Sequence, residues 1–262
     1  MRLYLLLAVY VAMTLLSGCS TLGSGRDVDG NVPLNKALNE VAEGQLLDVW
    51  IELFDPGELP DDEDEAMGLS MDIRDAEARY MPEQLRTVME STGYWGAVRV
   101  VPQDTEGSEL LVRGAIIVSD GEELELEITA LDATGREWFS RNYEEEIEAD
   151  SYRQRNSSGE DIFYSLYHTI ANDLAEFRQS LTASDITAIR QVAELRFAAD
   201  LSPEAFDDYL ALDRKGRYSV VRLPAADDPM LRRVLAIRDR DFLLIDTLNG
   251  HFDNFSREMD SP

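Results

Sequence analysis

Alternation of apolar and polar residues predicts a strand early in the chain. In Leu46–Phe54 apolar residues recur at every second position, while Asp48 and Glu52 fall between them. This period of two is typical of a strand with one strongly apolar face. Asp72–Thr92 has helical spacing instead. Pro82 within it suits the first turn of a helix, so we expect two helical pieces there.

Strand alternation returns in the middle of the chain, where three strands follow a short one at 97–102. The three ranges are Glu109–Ser119, Glu122–Asp132 and Arg136–Ile147. Asp120-Gly121, between the first two, is a strong hairpin signal, and residues 133–135 supply a second turn. We expect these strands to form an antiparallel meander.

The C-terminal part of the chain has mainly helical spacing. Helix starts are predicted at Ser158, Thr182, Ser202 and Asp228. The first two open capping boxes, because an aspartate follows three residues later, and the last two precede a proline that suits the first helical turn. Tyr218–Leu223 predicts a short strand, and Asp239–Met259 is helical in pattern, with a turn or break at Asn249-Gly250.

Together these elements predict the α+β class. We expect a mixed, largely antiparallel sheet of four to five strands packed with helices, followed by a helical C-terminal region. The expected divisions are an α/β domain at 46–181 and a helical region at 182–262. Residues 19–45 begin with small and polar residues, and we expect them to form a flexible tether.

The first residues of the chain indicate secretion. Arg2 precedes an uncharged apolar run at 3–16, which is shorter than the roughly 20 residues of a membrane-spanning helix and is typical of a secretory signal. The run ends in Leu16-Ser17-Gly18-Cys19, which resembles the lipobox of bacterial lipoproteins. The resemblance implies cleavage by signal peptidase II after residue 18 and attachment of acyl chains to Cys19.

The cysteine count favours the same interpretation. Cys19 is the only cysteine in the chain, and a single thiol in a secreted protein needs an explanation other than an internal disulfide. The alternative is a cysteine that ends a signal peptide by chance. The resemblance to Gram-negative lipoproteins implies that Ser20, the residue after Cys19, is compatible with transport to the outer membrane. We therefore expect a lipid anchor on the periplasmic face of that membrane.

A longer pattern extends over residues 46–181. Its elements follow in the order strand, helix, strand, hairpin, strand and helix. It is carried by Leu47–Phe54, Leu111–Leu131 and Ile162–Leu181. The order resembles the N-terminal domain of the Tol-Pal periplasmic propeller protein and the domain of the curli-secretion lipoprotein. The resemblance implies a partner-binding or assembly role at the envelope rather than an activity. No propeller follows this domain, and residues 182–262 have no counterpart in either protein.

The net charge restricts the possible partners. With 52 acidic and 24 basic residues the formal charge is −28, and such a surface repels phosphate backbones, so nucleic acid is a poor partner. Adaptation to a saline environment is one interpretation, and binding of divalent cations is another. We favour the first, because the acidic residues are spread along most of the chain.

Catalytic and metal-binding patterns are weak. His168 and His251 are 83 positions apart; we expect His168 at the edge of the core and His251 at the surface. The acidic run 61–65 lacks calcium-loop spacing, so a solvated loop is favoured there. We predict no cofactor and no metal. Trp50, Trp95 and Trp138 could line a ligand groove, but packing on the sheet is the favoured interpretation.

One basic band interrupts the acidic chain. Between residues 214 and 240 eight basic residues occur against three aspartates. The basic residues are Arg214, Lys215, Arg217, Arg222, Arg232, Arg233, Arg238 and Arg240. We predict that the arginines bind an anionic envelope partner, such as lipid phosphates or an acidic protein surface. The alternative is that they pair with the acidic strands and join the two halves of the chain.

The sequence thus favours a non-catalytic, lipid-anchored factor that binds an envelope protein partner or assists assembly. One alternative is an envelope hydrolase that acts on peptidoglycan through two carboxylates about 5–10 Å apart. The acidic residues are too numerous for the sequence to distinguish such a pair. A second alternative is a structural oligomer that builds a ring or a pore.

Overall fold

The computed structural model describes residues 25–59, 69–102, 107–147 and 161–259. The α+β class is confirmed. The strands are β1 (Arg26–Asp27), β2 (Val49–Glu52), β3 (Val98–Val101), β4 (Leu110–Ser119), β5 (Glu123–Asp132), β6 (Glu137–Glu146), β7 (Leu210–Leu212) and β8 (Tyr218–Val220). The helices are α1 (Met71–Glu90), α2 (Tyr164–Ser180), α3 (Ala183–Leu201), α4 (Pro203–Phe206) and α5 (Pro229–Met259). Cys19 and the acidic run 61–65 lie outside the described residues.

The main sheet has six strands, in the order β1-β6-β5-β4-β2-β3, rather than the predicted four to five. The meander β4–β5–β6 is antiparallel, as predicted, and β2 lies parallel to both β3 and β4. The additional strand is β1, which pairs with β6 in parallel over two residues. Two polar residues carry no alternating pattern, so this strand could not be predicted.

Strand β2 is buried on both faces, although its sequence pattern indicates only one strongly apolar face. Val49 and Ile51 belong to the main hydrophobic core. Trp50 and Glu52 point to the opposite face, which we call the outer face of the sheet, and they are also buried. Helix α5 covers this end of the outer face, where the rings of Trp50 and Phe242 meet edge-on with centroids 5.9 Å apart.

Helix α1 is continuous, although two pieces were expected. Pro82 is buried inside it, and a proline removes the hydrogen bond to the carbonyl four residues earlier. That carbonyl belongs to Ala78, and it accepts a hydrogen bond from the N–H of Phe54 at 3.0 Å instead. The end of the β2 segment thus satisfies the acceptor that proline leaves open, and the helix continues.

The C-terminal helices differ from their predicted lengths. The capping box at Thr182 and Asp185 is confirmed, but the helix after Ser202 has only four residues. Residues 229–259 form one helix, so the expected break at Asn249-Gly250 is wrong. The Asn249 side chain accepts from the N–H of Val100 at 3.3 Å and donates to its carbonyl at 3.1 Å. The open backbone of the edge strand therefore holds this part of the helix.

Residues 26–37, here called the N-terminal strap, are packed against the body, so the expected flexible tether does not include them. Asp173 on α2 is buried and binds Arg26, and the N–H of Val28 donates to the carbonyl of Glu144 at 2.7 Å. His168 Nδ1 donates to the carbonyl of Val32 at 2.8 Å. His168 is therefore a hydrogen-bonded residue at the edge of the core, as expected.

Candidate interaction surface

The C-terminal surface is supported by helix α3 and by the edge of the main sheet. A small second core contains Ala198, Phe206 and Val234, which come from α3, α4 and α5. Arg190 on α3 donates from Nε to Glu109 at 3.3 Å, and Arg196 donates from Nη1 to the Ala133 carbonyl at 3.0 Å. These contacts hold α3 against the main sheet, and α5, which carries four arginines of the band, packs on α3 through Val234.

Three arginines of the band lie on or beside the β7–β8 hairpin. Arg214 and Arg217 are in its turn and are exposed. Arg217 Nε lies 3.4 Å from Asp213, a local pair in water. The Arg222 guanidinium lies 4.2 Å from the centre of the Tyr209 ring, a distance suitable for a cation–π contact.

The other four arginines are on α5. Arg232, Arg233 and Arg240 are exposed, whereas Arg238 is half-buried. Arg238 lies over the Phe242 ring at 5.5 Å and lines a cleft of about 280 Å³. The band is therefore divided between the hairpin and the helix, and only Arg238 turns toward the body.

Most of the band is free of ion pairs. Among the described residues, Arg214, Arg232, Arg233 and Arg240 form none, and no arginine of the band pairs with β4, β5 or β6. The ion pair between β3 and α5 has the opposite polarity. Arg99 on β3 donates to Asp246 on α5 at 2.6 Å and to Asp48 at 3.2 Å. The arginines of the band therefore do not join the halves in the way the alternative required.

Large apolar side chains are exposed beside these arginines. On α5 Leu243 is 67% exposed, Leu244 61% and Leu248 60%. Val221 and Leu223, close to Arg222, are also exposed. Sequence reasoning missed these residues, although the helical spacing could have revealed them, because α5 has more apolar residues than one buried stripe requires.

The three tryptophans pack in the fold, as favoured from the sequence. Trp95 and Trp138 stack with centroids 6.4 Å apart, and Trp138 stacks on Phe177 at 4.7 Å. All three tryptophans are at least nine-tenths buried. They do not form an exposed ligand groove.

A carboxylate with a raised pKa, that of Glu109, lines the cleft beside Arg238. Glu109 and Glu194 both line it, and burial, with a smaller effect of Asp48, raises the pKa of Glu109. Its two oxygens are already engaged, one by the N–H of Asp48 at 2.8 Å and one by Arg190 at 3.3 Å. Both bonds favour the ionised form, and Glu109 links the start of β4 to α3.

Neither a metal centre nor a membrane span is found within the described ranges. No group of three or more histidine, cysteine or acidic side chains there is arranged to hold a metal ion. No helix in the same residues is both long and apolar enough to cross a bilayer. The chain matches no protein-family model, and no curated protein matches it at a significant level.

Proposed function

We propose that this protein is an outer-membrane lipoprotein of the periplasm that binds an anionic envelope partner through its basic band without catalysing a reaction. The observation that carries the proposal is the group of exposed arginines without ion pairs. Arg232, Arg233 and Arg240 lie on one helix beside exposed leucines, in a chain of net charge −28.

Electrostatics supports an anionic partner at this surface. A carboxylate or phosphate that approaches most of the chain meets like charge, whereas the band offers several guanidinium groups with free donors. Arginine binds both anions through two parallel hydrogen bonds, which adds geometric specificity. Exposed leucines beside such donors are typical of interaction sites, because apolar area contributes affinity once the charges have aligned.

The contacts of the strap support a lipoprotein whose folded part lies close to its lipid anchor. Arg26, where the described contacts begin, follows Cys19 by seven positions, and an extended chain over seven positions reaches about 25 Å. If Cys19 is acylated, the edge of the sheet that carries β1 stays within that distance of the lipid. A partner would then be met at the membrane surface.

Affinity capture tests the proposal. The lipidated chain and its Arg232→Glu/Arg233→Glu variant are purified from membranes, and the proteins and lipids that accompany each are compared by mass spectrometry. Arg79→Glu is the matched control, because Arg79 is an exposed arginine on α1, outside the band. We expect the band variant to lose its partner without a change in melting temperature. Unchanged capture with a lower melting temperature would instead assign these arginines to stability.

A hydrolase remains the second candidate because of the raised pKa of Glu109 in its cleft. The bonds from Asp48 and Arg190 weigh against it, since a general acid must carry a proton. The purified protein is incubated with peptidoglycan, and soluble fragments are measured. Release of fragments that is lost in Glu109→Gln and kept in Glu204→Gln would favour the hydrolase, and no release favours the binding role.

A further inference from the structure

The outward side of helix α5 combines arginine with large apolar side chains, although the protein as a whole is acidic. Arg240 is at its centre, and the neighbours three, four and seven positions away share its side of the helix. These neighbours are Arg233, Ala236, Ile237, Leu243, Leu244 and Thr247. All seven residues are exposed and none is acidic. We call them the outer stripe of α5.

We propose that the outer stripe of α5 rests on the surface of a bilayer that contains anionic phospholipid, as a second membrane contact besides the lipid anchor. The inference rests on the proposed function and names the partner of the α5 part of the band. Helices that lie in a membrane interface combine large apolar side chains with arginine or lysine, and the stripe has both. Leucines enter the acyl boundary while the guanidinium groups meet the phosphates.

Charge complementarity favours lipid over a second copy of the chain. Arg233 and Arg240 lie seven residues apart along the middle of the stripe, so two stripes facing each other would bring guanidinium groups together. Asp239 and Asp241 lie only at the two margins. An anionic lipid surface neutralises both arginines, and each contributes roughly fivefold to membrane affinity.

The sheet topology allows the contact despite the acidic strands. By register, Trp50 under α5 and the carboxylates of Glu125 and Glu144 lie on the same outer face of the sheet. Helix α5 adds a layer about 10 Å thick above that face. The acidic strands therefore stand off from the lipid by more than the screening length of about 8 Å at physiological ionic strength.

The anchor geometry is also compatible with the contact. With α5 on the membrane, the sheet lies roughly 10–15 Å above it, which is about the thickness of one helix with its side chains. The segment from Cys19 to Arg26 reaches about 25 Å. Lipid anchor and helix can therefore engage the same bilayer.

Vesicle sedimentation tests the inference with residues 20–262, which contain all the described contacts and no cysteine. Phosphatidylcholine vesicles with and without phosphatidylglycerol are compared at physiological ionic strength. We expect binding only with phosphatidylglycerol. Arg233→Glu/Arg240→Glu should lower the partition at least twentyfold, and Leu244→Glu should lower it as well. The controls Arg79→Glu and Ile73→Glu alter exposed residues of α1 and should leave it unchanged.

A fluorescence measurement tests the same contact without the charge-reversal variants, whose folding could be affected. An environment-sensitive dye is attached to cysteine in Leu243→Cys, within the outer stripe, or, as the control, in Ile73→Cys. We expect a blue shift on anionic vesicles at position 243 and none at 73. No sedimentation and no shift at 243 would overturn the inference, as would a dimer that Leu244→Glu dissociates in the absence of lipid. In either case, partner capture that still depends on Arg232 and Arg233 would leave the proposed function standing.

Discussion

Arg99 on the edge strand β3 and Asp246 on helix α5 form a two-point ion pair, with Nε–Oδ1 at 2.6 Å and Nη2–Oδ2 at 3.2 Å. The Arg99 side chain is 8% exposed, and its guanidinium also lies 4.4 Å from the centre of the Phe242 ring. Together with Asn249, which binds the backbone of Val100, Arg99 thus fixes the position of the helix that carries the outer stripe.

Replacement of Asp246 by alanine should loosen α5. The variant leaves a buried guanidinium with Asp48 as its remaining carboxylate, so we expect a loss of about 1–2 kcal/mol in the free energy of unfolding, reduced because Asp246 is half exposed. Urea unfolding measures the loss. Asp239→Ala, on the exposed side of the same helix, is the control and should change little. Equal stability of the two variants would contradict the assigned role of Arg99.

The strap gives a second prediction, centred on Asp173. This buried carboxylate binds Arg26, Arg141 at 2.8 Å and the Tyr143 hydroxyl at 2.9 Å. Asp173→Asn removes the charge that both arginines share, and we expect a loss of about 2–3 kcal/mol, because both arginines are partly in water. Hydrogen exchange should become faster in residues 26–37. Glu204→Gln, which removes an exposed carboxylate on α4, should leave exchange in the strap unchanged.

Two glutamates of the main sheet, Glu123 and Glu144, should stabilise this protein as the pH falls from their raised pKa values toward the ordinary glutamate pKa. Glu144 lies directly opposite Glu125 and beside Asp27, while Glu123 lies opposite Glu146. Burial first, and then these like charges, raise the pKa of Glu123 and Glu144. Folding therefore favours their protonated forms.

The sign of the pH effect follows from the raised pKa values. The contribution is complete below the ordinary glutamate pKa and is lost as the pH rises through the raised value. We expect the free energy of unfolding to increase as the pH falls across this window. Added salt should weaken the trend, because it screens the repulsion. Glu123→Gln/Glu144→Gln should flatten it, and an identical slope in that variant would refute the explanation.

Gly114 is predicted to tolerate no side chain. A Cβ atom there would lie 2.5 Å from two ring carbons of Phe54, so Gly114→Ala should cost about 1–3 kcal/mol through overpacking. Gly44→Ala is the control, since no atom lies within 4 Å of its added Cβ. Phe54→Leu in the Gly114→Ala background should recover part of the loss. An additive double variant would contradict the steric cause.

Much of the fold follows from local patterns. The meander β4–β6 was predictable because apolar and polar residues alternate in β5 and because Asp120-Gly121 closes the first hairpin. The start of α3 was predictable because the capping box at Thr182 is a local feature. Each of these signals depends only on residues close together in the chain.

The errors arose where distant residues decide the structure. Pro82 stays inside a helix because Phe54 satisfies the carbonyl of Ala78. Trp50 is buried because α5 returns across the sheet. Arg26 forms an ion pair with Asp173, which is far away in the sequence, so residues that look like a tether are packed against the body as the strap. The arginines of the candidate site were visible in the sequence, and the helical spacing of α5 indicated surplus leucines, but the lack of ion pairs became evident only in three dimensions.

The lipid anchor is the central claim, and mass spectrometry of the N-terminal peptide from the membrane fraction tests it most directly. We expect the protein to begin at residue 19, with Cys19 carrying acyl chains, and Cys19→Ala to keep the leader and lose the added mass. A chain that leaves the cell with a free Cys19 thiol, or that retains residues 1–18 in its native form, would contradict the account.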